Sequence, residues 1–248
     1  MPLWSARPGP HLAAFSRRGS APPEIASATA HLARGLAESL GHPELPIARA
    51  TQVHGRTVLA VRESVAPGQT VLAGEGDVLV TARRGIALAI QTADCVPILL
   101  LSPEGVAAVH AGWRGTAAGA AAEGVRALEK ESRSPASAMS AVIGPAIGVC
   151  CYEVGGEVAA AFAGDFLRRS CGGKFRLDLK AANRAQLEAS GVASGRIEEL
   201  PFCTRCGGEE LASYRRDGAA AGRMIGLVAR LDAPGDSENP MADPSRSA

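Results

Sequence analysis

Residues 86–115, with the sequence IALAIQTADCVPILLLSPEGVAAVHAGWRG, decide the fold class. Three short apolar runs, at 86–90, 96–101 and 106–110, alternate with segments that contain Thr, Asp, Ser, Pro or Gly. Short continuous apolar runs between turn-forming residues are typical of strands that are buried on both faces. We therefore predict three strands here, each of them inside the protein rather than at its surface.

Short strands and helices are predicted on both sides of this stretch. Strands are expected at 50–54, 57–61, 77–81 and 141–143, a turn-rich connection at 66–76, and helices at 25–40, 114–131, 153–169 and 179–190. Neither a repeat nor a change in composition divides the chain, so we predict a single α/β or α+β domain over 1–231. Residues 232–248 have no apolar periodicity and are expected to form a disordered tail.

The composition argues against several classes of protein. The 248 residues include 26 Lys and Arg against 25 Asp and Glu, whereas nucleic-acid-binding surfaces usually carry a marked basic excess. The longest dense apolar run, at 96–101, is far shorter than the ~18 residues that span a membrane. The N-terminus lacks the pattern of a signal peptide. We therefore expect a cytoplasmic protein with neither a nucleic-acid nor a membrane partner, whose six cysteines stay reduced. The oligomeric state stays open.

Three residues that can bind a metal stand at the ends of apolar runs. His54 and His110 each close such a run and precede Gly or Ala-Gly, and Cys95 stands at the start of the run at 96–101. Two imidazoles and one thiolate can hold zinc and leave a fourth position open, as catalytic zinc sites do. A histidine at a strand end is, however, more often a hydrogen-bonded core residue than a ligand. Residue type and spacing leave both interpretations open.

Three motifs resemble the signatures of a known bacterial family. They are Gln52-Val53-His54-Gly55, Thr92-Ala93-Asp94-Cys95-Val96-Pro97 and His110-Ala111-Gly112-Trp113-Arg114-Gly115. Shorter matches follow in family order at 143–145, 151–154, 203–204, 213–217 and 222–223. On these motifs the chain is similar to the laccase-domain family of multicopper polyphenol oxidases. That family is also described as peptidoglycan editing factors and as purine nucleoside phosphorylases, and it is related to the human laccase-domain-containing protein.

The resemblance implies a fold, a metal site and an activity. The implied fold is α/β, with two β-sheets packed face to face and helices outside, in α/β/β/α layers. His54, Cys95 and His110 are implied to be zinc ligands, and uptake of Cu2+ in vitro is expected because copper outcompetes zinc in the divalent affinity series. The implied substrates are purine nucleosides and phosphate, for phosphorolysis of adenosine, inosine and methylthioadenosine and for deamination of adenosine. Residues 15–20 resemble a further family motif with one glycine missing, and Arg17 within it is expected to bind substrate.

Three further residues of the three motifs are candidates for catalysis or substrate binding. Arg114 is expected to bind phosphate or a substrate oxygen and to act in catalysis, the alternative being a surface arginine. Gln52 lies two residues before His54 and points the same way on a strand, where it either contacts substrate or pairs with a backbone group. Asp94 either orients a histidine or carries a proton, although strand alternation would turn it away from the metal.

The remaining cysteines give no clear metal pattern. Cys203 and Cys206 form a C-x-x-C, which suggests redox chemistry or half of a zinc ribbon. Because the chain has no second C-x-x-C, they are expected to be two structural thiols in a loop near the site. Cys150 and Cys151 are expected to serve in packing. None of these four, nor Cys171, is expected to form a disulfide that folding requires.

The number of histidines separates the candidate functions. A multicopper oxidase needs roughly ten histidines for its copper centres, and this chain has five. A zinc-dependent purine nucleoside enzyme is therefore favoured over a polyphenol oxidase. The alternative is an amidase that edits peptidoglycan precursors, with Cys95 or a zinc-activated water as nucleophile. A third hypothesis is a metal-binding partner protein that has lost catalysis.

Overall fold

The computed structural model describes residues 2–19 and 25–231, which form fifteen strands and six α-helices. The strands are β1 (Pro2–Ala6), β2 (His11–Ser16), β3 (Ile47–Thr51), β4 (Val58–Ala60), β5 (Thr70–Glu75), β6 (Val78–Thr81), β7 (Ile86–Thr92), β8 (Val96–Ser102), β9 (Gly105–Ala111), β10 (Ser140–Ile143), β11 (Glu153–Val154), β12 (Leu167–Arg169), β13 (Phe175–Leu177), β14 (Ile197–Glu199) and β15 (Met224–Arg230). The helices are α1 (Ile25–Ser39), α2 (Trp113–Ala117), α3 (Ala120–Ser132), α4 (Gly156–Ala159), α5 (Leu179–Ala189) and α6 (Tyr214–Asp217). Within the described ranges, no helix has the length and apolar character needed to cross a membrane. The tail predicted at 232–248 lies outside the described residues.

Two six-stranded sheets carry the strands that position the site. The first has the order β1-β2-β15-β7-β3-β5, and its pairings of β7 with β3 and of β3 with β5 are parallel. The second has the order β14-β10-β8-β9-β6-β4, antiparallel in its centre and parallel in both edge pairings. A third, antiparallel sheet has the order β11-β13-β12.

The two large sheets pack face to face, and helices cover their outer faces. In β7, Leu88 and Ile90 lie in the apolar core between the sheets, whereas Ala89 packs with residues of α1. In β8, Leu99 faces the same intersheet core, and Leu100 packs among residues of α3 and α5. Successive strand side chains point to opposite faces, so a strand covered on both faces must be apolar at every position. This confirms the α/β/β/α fold class in a single domain and the three strands predicted from 86–110.

The helix predicted at 153–169 is wrong. The segment contains β11, the single turn α4, a short 3-10 turn at 164–166 and β12. Both strands pair with β13, so backbone pairing in the small sheet determines the conformation. Gly155, Gly156 and Gly164 weaken the helical alternative, because each glycine inside a helix costs about 1 kcal/mol relative to alanine.

Three further predictions need correction. The turn-rich segment at 66–76 contains β5, whose pairing with β3 outweighs its glycine content. The strand predicted at 50–54 ends at Thr51, so His54 lies in the loop that follows it. The single helix predicted at 114–131 is two helices, α2 and α3, separated at Gly119 with a φ of 87°. Glycine reaches this left-handed conformation without steric cost, and it ends the first helix there.

Removal of side-chain volume from the intersheet core is expected to destabilise the protein strongly. Leu99 is 0% exposed in that core, whereas Leu72 on the edge strand β5 is 53% exposed. We expect Leu99→Ala to lower the free energy of unfolding by about 2–5 kcal/mol, because a buried leucine leaves a cavity. Leu72→Ala, the matched control, should lower it by about 1 kcal/mol or less. Urea denaturation measures both, and equal losses would contradict this assignment of the core.

Candidate functional site

Two crossings between the sheets bring the sequence motifs to one end of the sandwich. The chain passes from β3 in the first sheet to β4 in the second through the loop that carries His54. It passes from β7 to β8 through the loop that carries Cys95. His110 lies near the end of β9, which runs antiparallel to β8, and the register pairs it with Pro97. The fold therefore brings the three candidate metal ligands side by side.

His54, Cys95 and His110 form a tight cluster. Their ligand atoms, one from each residue, all lie within 4.8 Å of one another. The two imidazole rings meet edge to face, with 4.9 Å between their centroids and 78° between their planes. His110 is buried, Cys95 is half-buried and His54 is exposed, so the cluster opens on one side. Two nitrogens and one sulfur at this spacing match the donor set of an open zinc site.

A buried carboxylate that the sequence analysis did not identify as a site residue contacts both histidines. Asp77 is 0% exposed and accepts a hydrogen bond from Nδ1 of His110 at 2.7 Å. Its oxygens also accept backbone N–H bonds from Val53 at 3.3 Å, His54 at 3.0 Å and Gly55 at 2.7 Å. An ionised carboxylate only accepts, so Nδ1 of His110 carries a proton and Nε2 is left to bind a ligand. The sequence signal was an aspartate placed directly before the apolar strand at 78–81.

Gly112 and Gly115 let the third motif approach the cluster. A Cβ atom on Gly112 would lie 3.0 Å from Sγ of Cys95 and 3.1 Å from Cδ2 of His54. A Cβ atom on Gly115 would lie 2.8 Å from the carbonyl oxygen of Gly55. A larger residue at Gly115 would require the backbone to move, whereas one at Gly112 would require the side chains of Cys95 and His54 to shift by a few tenths of an ångström.

Two motif residues have a left-handed backbone conformation that non-glycine residues seldom adopt. His54 has a φ of 61° and Asp94 a φ of 92°. Such residues cost of order 1–3 kcal/mol and persist where the surrounding structure imposes them. The N–H of His54 is held by Asp77, and the carbonyl of Asp94 accepts the N–H of Ile147 at 2.9 Å.

Hydrogen bonds within the cluster shift the pKa values of Cys95, His110 and Asp77 toward their charged forms. Burial raises the pKa of the Cys95 thiol, but hydrogen bonds from His110 and His54 outweigh it and lower the pKa to about 6. Burial lowers the pKa of His110, but its hydrogen bonds with Asp77 and Cys95 raise the pKa to about 9. Burial likewise opposes ionisation of Asp77, and the hydrogen bond from His110 leads the effects that hold its pKa below the usual value. Cys95 therefore favours the thiolate form, which is the form that binds metals.

The cluster lines a pocket of about 540 Å³, a volume typical of small-molecule sites. Three aromatic rings and three guanidinium groups also line it: Trp113, Tyr152, Tyr214, Arg114, Arg215 and Arg223. Cζ of Arg114 lies 4.4 Å from the centroid of the Trp113 ring, and Cζ of Arg215 lies 5.2 Å from that of Tyr152. The pocket thus combines flat apolar surfaces with positive charge, which suits a ligand that has an aromatic ring and an anionic group.

Gln52 lines the pocket but is already paired with the backbone. Its Nε2 donates to the carbonyl of Gln91 at 2.9 Å, and its Oε1 accepts the N–H of Gln91 at 2.8 Å. Of the two roles considered for Gln52, backbone pairing is the one seen in the structure. The pairing fixes the start of the loop that carries His54 against the end of β7.

Asp94 also lines the pocket, next to Cys95. One of its carboxylate oxygens accepts from Oγ1 of Thr204 at 2.6 Å, and the other accepts the backbone N–H of Arg215 at 2.6 Å. The carboxylate that contacts a histidine is therefore Asp77, and orientation of a histidine does not fall to Asp94. These two bonds connect the Cys95 loop to the C-terminal part of the pocket wall.

The structure brings Arg114 to the pocket but pairs Arg17 elsewhere. Arg17 is 46% exposed and forms an ion pair with Glu210, outside the residues that line the pocket in the described part of the chain. Arg215 and Arg223 lie in the pocket instead. From the sequence, Arg215 and Arg216 either reach an anionic group or, as adjacent arginines more often do, cover a solvated face. No role is predicted for Arg223.

Four of the five cysteines outside the first cluster form a second one. The sulfur atoms of Cys150, Cys151, Cys203 and Cys206 all lie within 4.8 Å of one another. Cys150 and Cys206 are exposed, and the other two are half-buried. Cys151 packs against the apolar core, as predicted. The sequence spacing does not predict that the two pairs form one cluster. The reason is that loops far apart in the sequence meet here.

Comparison with known proteins assigns the family. A family model described as multi-copper polyphenol oxidoreductase laccase matches residues 22–231. The chain belongs to this family. Among its curated members, the purine nucleoside phosphorylase of Deinococcus radiodurans is 41% identical over 213 residues, which are 82% of this chain and 78% of that protein. Adenosine deaminase RL5, from an unknown prokaryotic organism, is 43% identical over 160 residues, 60% of each chain.

The fold agrees with that of a solved family member. The crystal structure of YlmD from Geobacillus stearothermophilus superposes with a TM-score of 0.78 at 32% identity, and the match covers 90% of this chain and 93% of that one. The same protein, named purine nucleoside phosphorylase YlmD, is 36% identical in sequence over 213 residues, which are 80% of this chain and 77% of YlmD. The resemblance read from the three motifs is therefore confirmed.

This family member does not assemble its histidines as a multicopper oxidase would. His54 and His110 belong to the cluster with Cys95, and no other histidine joins a metal-type group within the described ranges. His11, for example, is buried, with Nε2 2.9 Å from the carbonyl oxygen of Ser102 and Nδ1 3.2 Å from that of Pro8. A site for a trinuclear copper cluster needs several more imidazoles than this arrangement supplies.

Proposed function

We propose that the protein is a zinc-dependent purine nucleoside enzyme that phosphorolyses adenosine, inosine and methylthioadenosine and deaminates adenosine. One observation carries the proposal: a single pocket combines a His2Cys cluster, three aromatic rings and three arginines. The names of the relatives support the substrate class, since two are purine nucleoside phosphorylases and one is an adenosine deaminase.

The residues present fit a zinc ion. His54, Cys95 and His110 would hold it, and the Asp77 bond leaves Nε2 of His110 available as a ligand. Gly112 keeps the space beside the thiolate clear of a Cβ atom. When bound, zinc supplies a Lewis acid that polarises a substrate oxygen and activates water near neutral pH.

The aromatic and basic side chains suit the two halves of the substrate pair. Trp113, Tyr152 and Tyr214 offer ring faces and edges on which a purine can stack. Arg114, Arg215 and Arg223 offer guanidinium groups that bind phosphate oxygens through charge-assisted hydrogen bonds. Holding both substrates in one pocket converts a bimolecular reaction into an effectively unimolecular one.

In phosphorolysis a phosphate oxygen forms a bond to C1′ of the ribose as the bond from C1′ to N9 breaks. The purine leaves with the electron pair and takes up a proton. Arg114 is proposed to hold the phosphate in line with C1′ and to stabilise the charge that develops. Asp94 is proposed to carry the proton, since its oxygens lie in the pocket and each can accept one bond beyond those from Thr204 and Arg215.

In deamination a water oxygen adds at C6 of adenine and ammonia leaves. This reaction uses no phosphate, so it needs the ring-binding side chains but not the phosphate-binding ones. Gln52, which lines the pocket through an amide otherwise fixed by Gln91, is proposed to contact the substrate with its second Nε2 hydrogen.

The dependence on phosphate tests the proposal. We expect inosine to yield hypoxanthine only when phosphate is present, and adenosine to be deaminated with or without it. Arg114→Ala should lower kcat/KM for phosphorolysis by about 10- to 100-fold, because a hydrogen bond to a charged group is worth roughly 1.5–3 kcal/mol. The same variant should affect deamination less. Chromatographic product analysis measures the rates of phosphorolysis and of deamination, each with and without phosphate.

Arg168→Ala is the matched control, because Arg168 is an exposed arginine on β12. It should leave both reactions unchanged. Equal losses of phosphorolysis and deamination in Arg114→Ala would mean that Arg114 supports the shared site rather than phosphate. Absence of any nucleoside turnover, together with cleavage of a muramyl-peptide precursor, would overturn the proposal in favour of the editing amidase.

A further inference from the structure

Four cysteine side chains outside the nucleoside pocket meet at one point. All four sulfur atoms lie within 4.8 Å of one another, and those of Cys150 and Cys206 are 3.7 Å apart. In a tetrahedral zinc site with Zn–S bonds of ~2.3 Å, sulfur atoms are separated by about 3.8 Å. Cys171, the one remaining cysteine among the six, belongs to neither cluster.

The sheet topology explains why these residues meet. Cys150 and Cys151 follow β10, and Cys203 and Cys206 follow β14. The two strands are parallel neighbours, so the segments that follow them leave the sheet at the same end. An isolated parallel bridge between Ala146 and Cys203 continues the pairing into the loops. The cluster is therefore part of the framework and does not result from chance contact between surface side chains.

Backbone contacts fix the turn at 203–207 and the sulfur atom of its first cysteine. The backbone N–H of Gly148 points to Sγ of Cys203 at 3.3 Å, a contact that favours a thiolate. The N–H of Gly207 closes the turn on the carbonyl of Cys203 at 2.8 Å. A Cβ atom on Gly207 would lie 2.5 Å from that carbonyl oxygen, so the residue after the second cysteine must be glycine.

We propose that Cys150, Cys151, Cys203 and Cys206 together bind one Zn2+ ion. Four thiolates select a soft, tetrahedral ion, and a site with no open position is structural rather than catalytic. Loading releases the thiol protons to solvent and changes no oxidation state. This site is separate from the His54, Cys95 and His110 cluster and does not depend on the proposed nucleoside activity.

The zinc ion would stabilise one wall of the nucleoside pocket. Thr204, between the two cysteines of the turn, donates to Asp94 at 2.6 Å. Tyr152, which follows Cys151, lines the pocket. Arg216 donates to the carbonyls of Thr204 and Gly208, which holds the turn from its other side. Cross-linking the two loops through a metal therefore fixes residues that face the substrate.

Metal stoichiometry tests the proposal. Full-length protein purified under reducing conditions should contain about two zinc ions per chain, one at each cluster. Cys206→Ser should lose one of them, whereas Cys171→Ser, the matched control, should keep both. His54→Ala should lose the other zinc and keep the one held by the four cysteines. If Cys206→Ser retains as much zinc as Cys171→Ser, the proposal is wrong.

A measurement on the wild-type chain keeps the test independent of how the variants fold. Replacement of zinc by Co2+ should produce the strong near-ultraviolet sulfur-to-cobalt charge-transfer bands of a four-thiolate site. His54→Ala should keep these bands. The cluster that it disrupts, His54, Cys95 and His110, has one thiolate and contributes little to them. Alkylation after denaturation without reductant should modify all six cysteines. A cobalt spectrum without four-thiolate bands, or alkylation of fewer than six because of a disulfide in the cluster, would overturn the proposal.

Discussion

Alanine in place of Cys95 is expected to remove the zinc ion proposed for the pocket and to lower kcat/KM for the proposed inosine phosphorolysis by more than about 100-fold. Changes to residues that merely support a metal ligand typically cost 10–100-fold in affinity or activity, so loss of a ligand itself should cost more. His54→Ala and His110→Ala should have the same effect. In each case the zinc held by the four-cysteine cluster should remain. Inductively coupled plasma mass spectrometry and a coupled hypoxanthine assay measure the two quantities.

Cys171→Ala is the matched control for Cys95→Ala, because Cys171 is an exposed cysteine outside both clusters. It should retain full zinc content and full activity. Full retention of zinc by one of the three pocket variants would remove that residue from the ligand set. Loss of zinc with full activity would show that catalysis does not use the metal.

Asp77→Asn is expected to weaken zinc binding in the pocket by about 10–100-fold, because the buried Asp77 carboxylate accepts hydrogen bonds from both histidines. The carboxylate accepts three backbone N–H bonds as well as that from His110. An amide in its place presents N–H to these donors and leaves buried groups unpaired, at a cost of about 1–3 kcal/mol each. Competition with a chromogenic zinc chelator measures the affinity, and thermal unfolding measures the stability.

A matched substitution separates positioning from general stability. Asp165→Asn changes an exposed aspartate and should alter neither zinc affinity nor unfolding. Asp77→Glu restores the charge but displaces the oxygens, so it should recover part of the zinc affinity. If folded Asp77→Asn binds zinc as tightly as the wild type, Asp77 does not orient the ligands and only stabilises the loop at 53–55.

The strands at 86–110 were predictable because they are covered on both faces, which requires an apolar residue at nearly every position. The segment 153–169 was not, because its conformation depends on pairing with β13, a partner that local spacing does not reveal. For β5, similarly, pairing with β3 outweighs a glycine-rich composition that locally favours turns.

The candidate metal ligands His54, Cys95 and His110 were suggested by their places at the ends of apolar runs, and the family resemblance implied that they act together. Asp77 has the same kind of placement, directly before β6, but one aspartate at a strand start is a common turn residue. Its function depends on which N–H groups surround it once buried, and four donors converge on it from 53–55 and His110. The position of Arg223 in the pocket wall likewise depends on the backbone contact between Gly19 and Arg223, which brings distant segments together.

The sequence by itself determined a single α/β or α+β domain and the residue types able to bind a metal, because apolar runs must be buried and donor groups have known metal preferences. Its three motifs identified the family, and the layered arrangement of two packed sheets was expected only from that resemblance. The tertiary structure alone decided that Asp77 supports the histidines, that Arg17 pairs with Glu210 away from the pocket, and that four cysteines from two loops form one cluster. Each of these depends on strand order and register, which bring residues far apart in sequence within a few ångströms.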